Sequence, residues 1–165
     1  MPGIKALWDY EPSDHYIELK VFEGEDCFRG NVLYNFYGRL ILTTTEFEVR
    51  SGRGRGIGTN LMMSALALAK QHGVEASLAN ITSPASLRIR QKLFGNLIEI
   101  QDTAGYKLDL SVEAAIAQLA CAQDWDGPEN FDGFNVDCNL QTIDTSGWPL
   151  PDELNQPDIT YFQNV

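Results

Sequence analysis

The chain has 165 residues, 44% of them hydrophobic and 21% charged, with 12 Lys and Arg against 23 Asp and Glu for a formal net charge of −11. That length accommodates one domain with an appendage and a sizeable core. No stretch approaches the roughly 18–20 consecutive apolar residues of a membrane span, and the opening MPGIKALWDYEPSD lacks the charged-then-apolar pattern of a signal peptide, so a cytoplasmic protein with no membrane partner is expected.

In chain order, YIELKVF (16–22), CFRGNVLYNFYG (27–38) and RLILTTTEFEV (39–49) are rich in β-branched and aromatic residues, and they predict a short antiparallel meander. From Thr59 to Gln71 the period changes: Leu61, Met62, Ala65, Leu66 and Ala69 fall on one helical stripe, closed by His72 and Gly73. VEASLANI (74–81) predicts a strand. SPASLRIRQKLFG (83–95) opens with Ser and Pro and ends in Gly, as a capped helix does. NLIEIQ and GYKLDL are expected to pair as a hairpin around DTA (102–104). A further helix is expected over 111–123 with Ser111 as its cap. Beyond it the composition is that of an irregular tail, yet Trp125, Phe131, Phe134, Trp148, Tyr161 and Phe162 are too many large aromatics for a solvated one. The alternation of strand and helix makes this an α/β chain.

Charge is unevenly distributed. Residues 50–92 hold seven basic side chains (Arg50, Arg53, Arg55, Lys70, Arg88, Arg90 and Lys92) and one acid, Glu75, whereas residues 111–165 hold ten acids and no Lys or Arg. A basic segment inside an acidic protein suits a small phosphorylated ligand and disfavours nucleic acid spread over a whole face. Cys27, Cys121 and Cys138 are widely spaced, and with His15 and His72 as the only histidines neither a disulfide framework nor a metal site is expected.

The densest signal is SGRGRGIGTN (51–60), which joins a strand to a helix. A helix N-terminus presents amides without intrahelical partners at the positive end of its dipole, and closely spaced glycines let a phosphate approach them. Two common phosphate loops fail here. A Walker-type loop requires Lys where Gly58 stands. A dinucleotide-binding G-x-G-x-x-G places Ile57, Thr59 or Leu61 at its third glycine, depending on where it starts.

What remains is R-x-x-G-x-G from Arg53 to Gly58. RGRGIGTNLM is similar to the common form RGxGIGxxLL of the GNAT family of acyl-CoA-dependent N-acyltransferases, and the strand, helix, strand and helix around it come in that family's order. The resemblance covers about residues 16–110. It implies a mixed, largely antiparallel central sheet flanked by helices in a domain of residues 1–110. An acidic extension, a helix and irregular chain over 111–165, would pack on the domain or on a partner.

The resemblance also implies acetyl-CoA as co-substrate. The backbone of Arg53, Gly54, Arg55, Gly56, Ile57 and Gly58, with Thr59, would hold the pyrophosphate, and the strand end at Phe47 and Val49 would pair with the pantetheine arm. Asn80, Ser83 and Ser86, with Thr82, are further possible contacts. Glu46 or Glu48, two residues apart on one face of the strand, are the candidate general bases for a primary amine acceptor. The chain departs from the family's pattern in its second helix, where Arg90 occupies the position of the Tyr that protonates the leaving thiolate, leaving Tyr106, Tyr37 or Tyr34, or water, as the proton source unless the chemistry has been lost. It departs again before Val49, where the two helices that usually wall the acceptor site are missing.

Two readings follow. One is an N-acetyltransferase whose acidic C-terminal segment favours a cationic acceptor, either a small molecule or a basic protein segment. The other is a catalytically degenerate protein of that fold, binding or inhibiting a partner through the same acidic surface. Exposed edge strands also leave room for a homodimer.

Overall fold

The structure, a computed structural model, describes residues 3–11, 16–34, 38–50, 56–81, 83–95, 98–123, 133–137 and 140–157. Its strands and helices make a mixed α/β protein, and the chain falls into two compact units, Met1–Ala76 with Leu140–Val165, and Ser77–Asn139.

In the first unit, β1 (Lys5–Glu11), β2 (Tyr16–Glu23), β3 (Asp26–Tyr34) and β4 (Leu40–Glu48) form an antiparallel meander. The strand expectation began at Tyr16, and β1 adds to it. Its alternation is plain once placed: Ala6 and Trp8 are buried while Lys5 and Asp9 are exposed. Between β2 and β3 a two-residue turn closes on the pair Glu23–Asp26, with Gly24 at φ 59° supplying the left-handed backbone.

A β-bulge interrupts the β3–β4 ladder between Arg29 and Gly30: Gly30 faces Thr44, Arg29 faces Glu46, and Thr45 is the extra residue. Gly30 is required there, because a Cβ would lie 2.6 Å from Leu42 Cδ1 and 2.8 Å from the Thr43 carbonyl oxygen. The bulge resets the alternation. Leu42 opposes Val32 on the buried face, and five residues later Phe47 opposes Phe28 on that same face.

α1 (Ile57–Gln71) packs on this face against β2, β3 and β4. All five residues of its predicted stripe are buried, and so are Gly58, Ser64, Ala67 and Leu68, so the helix is enclosed over more of its circumference than the stripe alone predicts. It stops at His72 and Gly73, where Gly73 has φ 74° and the Val74 amide donates to the Ala69 carbonyl at 2.8 Å. The C-terminal segment returns to this unit as a 3-10 turn, Leu140–Thr142, and as β8 (Asp152–Glu153), which pairs parallel to β1. The Lys70 ammonium donates to the Ile143 carbonyl.

β5 (Glu75–Ile81) leads into the second unit, which contains α2 (Pro84–Phe94), β6 (Glu99–Gln101), α3 (Val112–Gln123) and β7 (Phe134–Asp137). Both helices have the caps the sequence predicts. Ser83 Oγ accepts from the Ser86 amide at 3.1 Å, and Ser111 Oγ accepts from the Ala114 amide at 3.1 Å. The helices meet, with Gln91 Nε2 donating to Glu113 Oε1 at 2.7 Å.

The expected hairpin of NLIEIQ with GYKLDL is reduced to a single bridge, Gln101 with Lys107. The main partner of β6 is instead β7, which lies antiparallel between β5 and β6 and sets Val136 against both Leu78 and Ile100. The extension is thus less irregular than expected, since β7 and β8 are both regular strands drawn from it. Of the tail aromatics, Phe134 is buried and Trp148 half-buried. Trp125, Phe131, Tyr161 and Phe162 lie outside the described residues.

Candidate functional site

α1 begins at Gly56, which sits in the left-handed region at φ 76°, ψ 10° and caps the helix without a side-chain hydrogen bond. The first intrahelical bond runs from the Asn60 amide to the Gly56 carbonyl at 2.9 Å. The amides of Ile57, Gly58 and Thr59 therefore precede the helical ladder, and the first turn contains no acid. The other two helices differ at this point. α2 is capped by Ser83 with Pro84 in its first turn, and α3 is capped by Ser111 with Glu113 in its first turn.

Gly58 seats this helix start on the end of β4. A Cβ at Gly58 would stand 3.1 Å from Phe47 Cε1 and Cζ and 3.4 Å from Val49 Cγ2. Phe47 is itself backed edge-on by Phe28, with ring centroids 5.9 Å apart and planes at 74°. Phe47, Val49 and Gly58 are thus brought together, with Ile57 and Thr59 half-buried alongside in the same turn. Gly56 needs its freedom for another reason: it faces open space, and only its positive φ restricts what can replace it.

Glu46 and Glu48 do lie on one face of β4, as expected, opposite Arg29 and Cys27. It is the face away from Phe47 and α1. Glu46 Oε2 is 3.6 Å from Arg29 Nη1, and Glu48 Oε1 is 2.7 Å from Arg50 Nε. The Glu48 carboxylate raises the pKa of the Arg50 guanidinium, through the hydrogen bond first and its charge second.

The end of β4 is fixed by a residue that the sequence reading did not single out. Asp26, 2% exposed, accepts the Arg50 amide on Oδ1 at 2.6 Å. A buried carboxylate on a backbone amide pins the chain just where it leaves the sheet for the glycine-rich stretch. The available signal was weak, since an Asp after Gly24-Glu25 reads as turn chemistry.

In the second unit, Ser83 and Ser86 occupy the first turn of α2 and are already engaged, Ser83 as the cap and Ser86 through its hydroxyl and carbonyl, both of which accept from Arg90 Nη1. Arg90 is 2% exposed. Burial pushes its guanidinium down to about 10, which leaves it protonated at neutral pH. Tyr106 lies in the turn after β6, 73% exposed, with its amide donating to Asp102 Oδ1 at 2.9 Å. Tyr34 ends β3 at 47% exposure. Glu46 and Glu48 belong to the first unit and Tyr106 to the second. Arg53, Gly54, Arg55, Tyr37, Thr82 and the side chain of Asn80 lie outside the described residues. Among the described residues no three His, Cys, Asp or Glu side chains converge on a metal-sized space, and no helix is long and apolar enough to cross a membrane.

Comparison with protein-family models, with curated proteins and with solved structures finds no match to this chain.

Proposed function

We propose that the protein is an N-acetyltransferase of GNAT type, moving an acetyl group from acetyl-CoA to a primary amine. The observation that carries this reading is the start of α1: capped by Gly56 with no side-chain hydrogen bond, free of acids in its first turn, seated on the β4 end at Gly58, and continuous with the RGRGIG stretch. Such an end favours an anion, and a pyrophosphate accepts several amides at once. In this reading Ile57, Gly58 and Thr59 supply amides to it. Arg53 and Arg55 add charge, and the β4 end at Phe47 and Val49 receives the pantetheine arm.

In the reaction the amine nitrogen attacks the thioester carbon and the carbon–sulfur bond breaks. The amine gives up a proton to the base, and the departing thiolate takes one up. Glu46 is the more available of the two candidate bases, because its ion pair to Arg29 is longer than that of Glu48 to Arg50. Tyr106, Tyr34 and Tyr37 are the candidate acids. The burial of Arg90 in the position of the family's Tyr favours the second reading, a protein that holds CoA without transferring from it and acts through its acidic C-terminal segment.

Calorimetric titration with acetyl-CoA is the test, using wild type, Gly56→Glu and Gly56→Asn. Asn tolerates the left-handed backbone and serves as the conformational control. Micromolar binding that is lost with Glu and kept with Asn supports the cofactor site; absence of binding at millimolar concentration sinks both readings that include CoA. If CoA binds but no amine in a panel of cationic small molecules and lysine peptides is acetylated, the degenerate reading replaces the enzyme.

A further inference from the structure

The free edge of β1 is covered by a short strap from the C-terminal segment. Asp152 N donates to the Ile4 carbonyl at 2.9 Å and Leu154 N to the Ala6 carbonyl at 2.8 Å. At the next outward position a side chain takes over from the backbone: Asn155 Oδ1 accepts from Trp8 N at 2.9 Å, and Asn155 Nδ2 donates to the Trp8 carbonyl at 2.6 Å. One carboxamide thus imitates the peptide group of a neighbouring strand. Glu153 Oε1 fastens the strap from above, accepting the Trp8 indole N–H at 2.8 Å and meeting His72 Nε2 at 2.9 Å.

Little apolar surface holds the strap down. Leu150 and Leu154 are 48% and 53% exposed, Asp152 and Asn155 are exposed as well, and Pro151, just before the strap, is the one buried apolar residue from 150 to 155. Its attachment therefore rests on hydrogen bonds, which water or another strand can replace. What it covers is an edge whose outward groups belong to Ile4, Ala6 and Trp8, the pattern that templates strand addition.

The sequence of that edge selects a second copy of itself. An antiparallel two-fold pairing about Leu7 sets Ala6 against Trp8, a small residue against a large one, and Leu7 against Leu7. It also sets each Lys5 against Asp9 of the other copy, and both are exposed. Moving the axis to Trp8 sets Leu7 against Asp9, and moving it to Ala6 sets Lys5 against Leu7. The Trp8 axis also sets Lys5 against Glu11, but only the Leu7 axis pairs the charges without opposing Leu7 to a charged residue.

We propose that the β1 edge is a self-association surface that the strap at residues 152–155 holds shut, and that release of the strap yields a two-fold dimer joined β1 to β1 about Leu7. The test is sedimentation velocity on the intact chain and on a chain ending at Pro151, with circular dichroism as the folding check. The intact chain is expected to be monomeric and the shortened one dimeric. In the shortened chain Lys5→Glu should weaken the dimer at least tenfold, and adding Asp9→Lys should restore it. A folded, monomeric shortened chain overturns the proposal, as does a dimer indifferent to Lys5→Glu. Should the shortened chain not fold, the full chain with Glu153→Ala and Asn155→Ala carries the test through Leu7→Cys, whose two copies meet on the axis within disulfide reach. Oxidative cross-linking at least tenfold faster than in Leu7→Cys with an intact strap is expected, over the background set by the native cysteines. Equal rates refute it.

Discussion

Gly58→Ala tests whether the α1 start is held by packing or left open for a ligand. The new methyl would meet Phe47 Cε1 and Cζ at 3.1 Å and Val49 Cγ2 at 3.4 Å. Phe47 cannot simply withdraw, because Phe28 stands behind it at a centroid separation of 5.9 Å. Overpacking of this kind costs about 1–3 kcal/mol. Against it stands the helical preference for Ala over Gly, about 0.8–1 kcal/mol in a helix interior and less in a first turn. The net expectation is a loss of roughly 1 kcal/mol.

The assay is urea unfolding without ligand, completed as a double-mutant cycle with Phe47→Leu. Trimming the ring makes room for the methyl, so the double variant should recover at least about 0.5 kcal/mol relative to additivity. If Gly58→Ala is as stable as wild type, the packing argument is wrong. If it is as stable and yet binds acetyl-CoA poorly, the glycine serves the ligand directly.

Three further outcomes are expected. Asp26→Ala should cost about 1.5–3 kcal/mol in urea unfolding, because the Arg50 amide loses a charged acceptor, while Asp26→Asn retains most of that stability; equal effects would mean that the bond to Arg50 does not matter. The Asp144 carboxyl, which accepts from Ser146, should titrate below its ordinary 3.8 when followed by carbon-detected NMR. A depressed folded pKa means that its contribution is present above the unfolded value and lost as pH falls through the folded one, so Asp144→Asn should flatten that acid limb. For Arg90 the slope has the same sign and the window is alkaline: with a folded pKa of about 10, the folded state binds fewer protons than the unfolded state as pH rises through that value, and the cost of burying the charge is relieved. Wild type should therefore gain stability relative to Arg90→Met between pH 9 and about 11, and a constant difference would contradict the burial argument.

The helices were legible because their signals are local. Ser83, Pro84 and Gly95 mark both ends of α2, Ser111 marks the start of α3, and the spacing of Leu61, Met62, Ala65, Leu66 and Ala69 fixes the inner side of α1. β7 was not legible, since Phe134-Asn135-Val136-Asp137 is too short for a period and includes two residues that favour turns. It is a strand because its backbone pairs at Val136 with both Leu78 of β5 and Ile100 of β6, partners far away in sequence. The same competition explains GYKLDL, whose alternation is genuine but which pairs with β6 only at Lys107. β8 is two residues long and exists through the β1 edge beside it.

For the candidate site, sequence spacing identified which residues share a face and left open which face that is. Glu46 and Glu48 alternate with Phe47 as a strand requires, but the bulge at Gly30 decides that Phe47 turns toward α1 and the two carboxylates away from it. A reading that carries strict alternation through β4 from the buried Leu42 would have put Glu46 and Glu48 under the helix and Phe47 outside. The pair Gly30 and Thr45, neither of them a candidate for chemistry, therefore settles the geometry in which any base on β4 must act. Substituting Gly30, whose missing Cβ the ladder requires, is expected to disturb the orientation of Glu46 before it disturbs the charge of any group at the site.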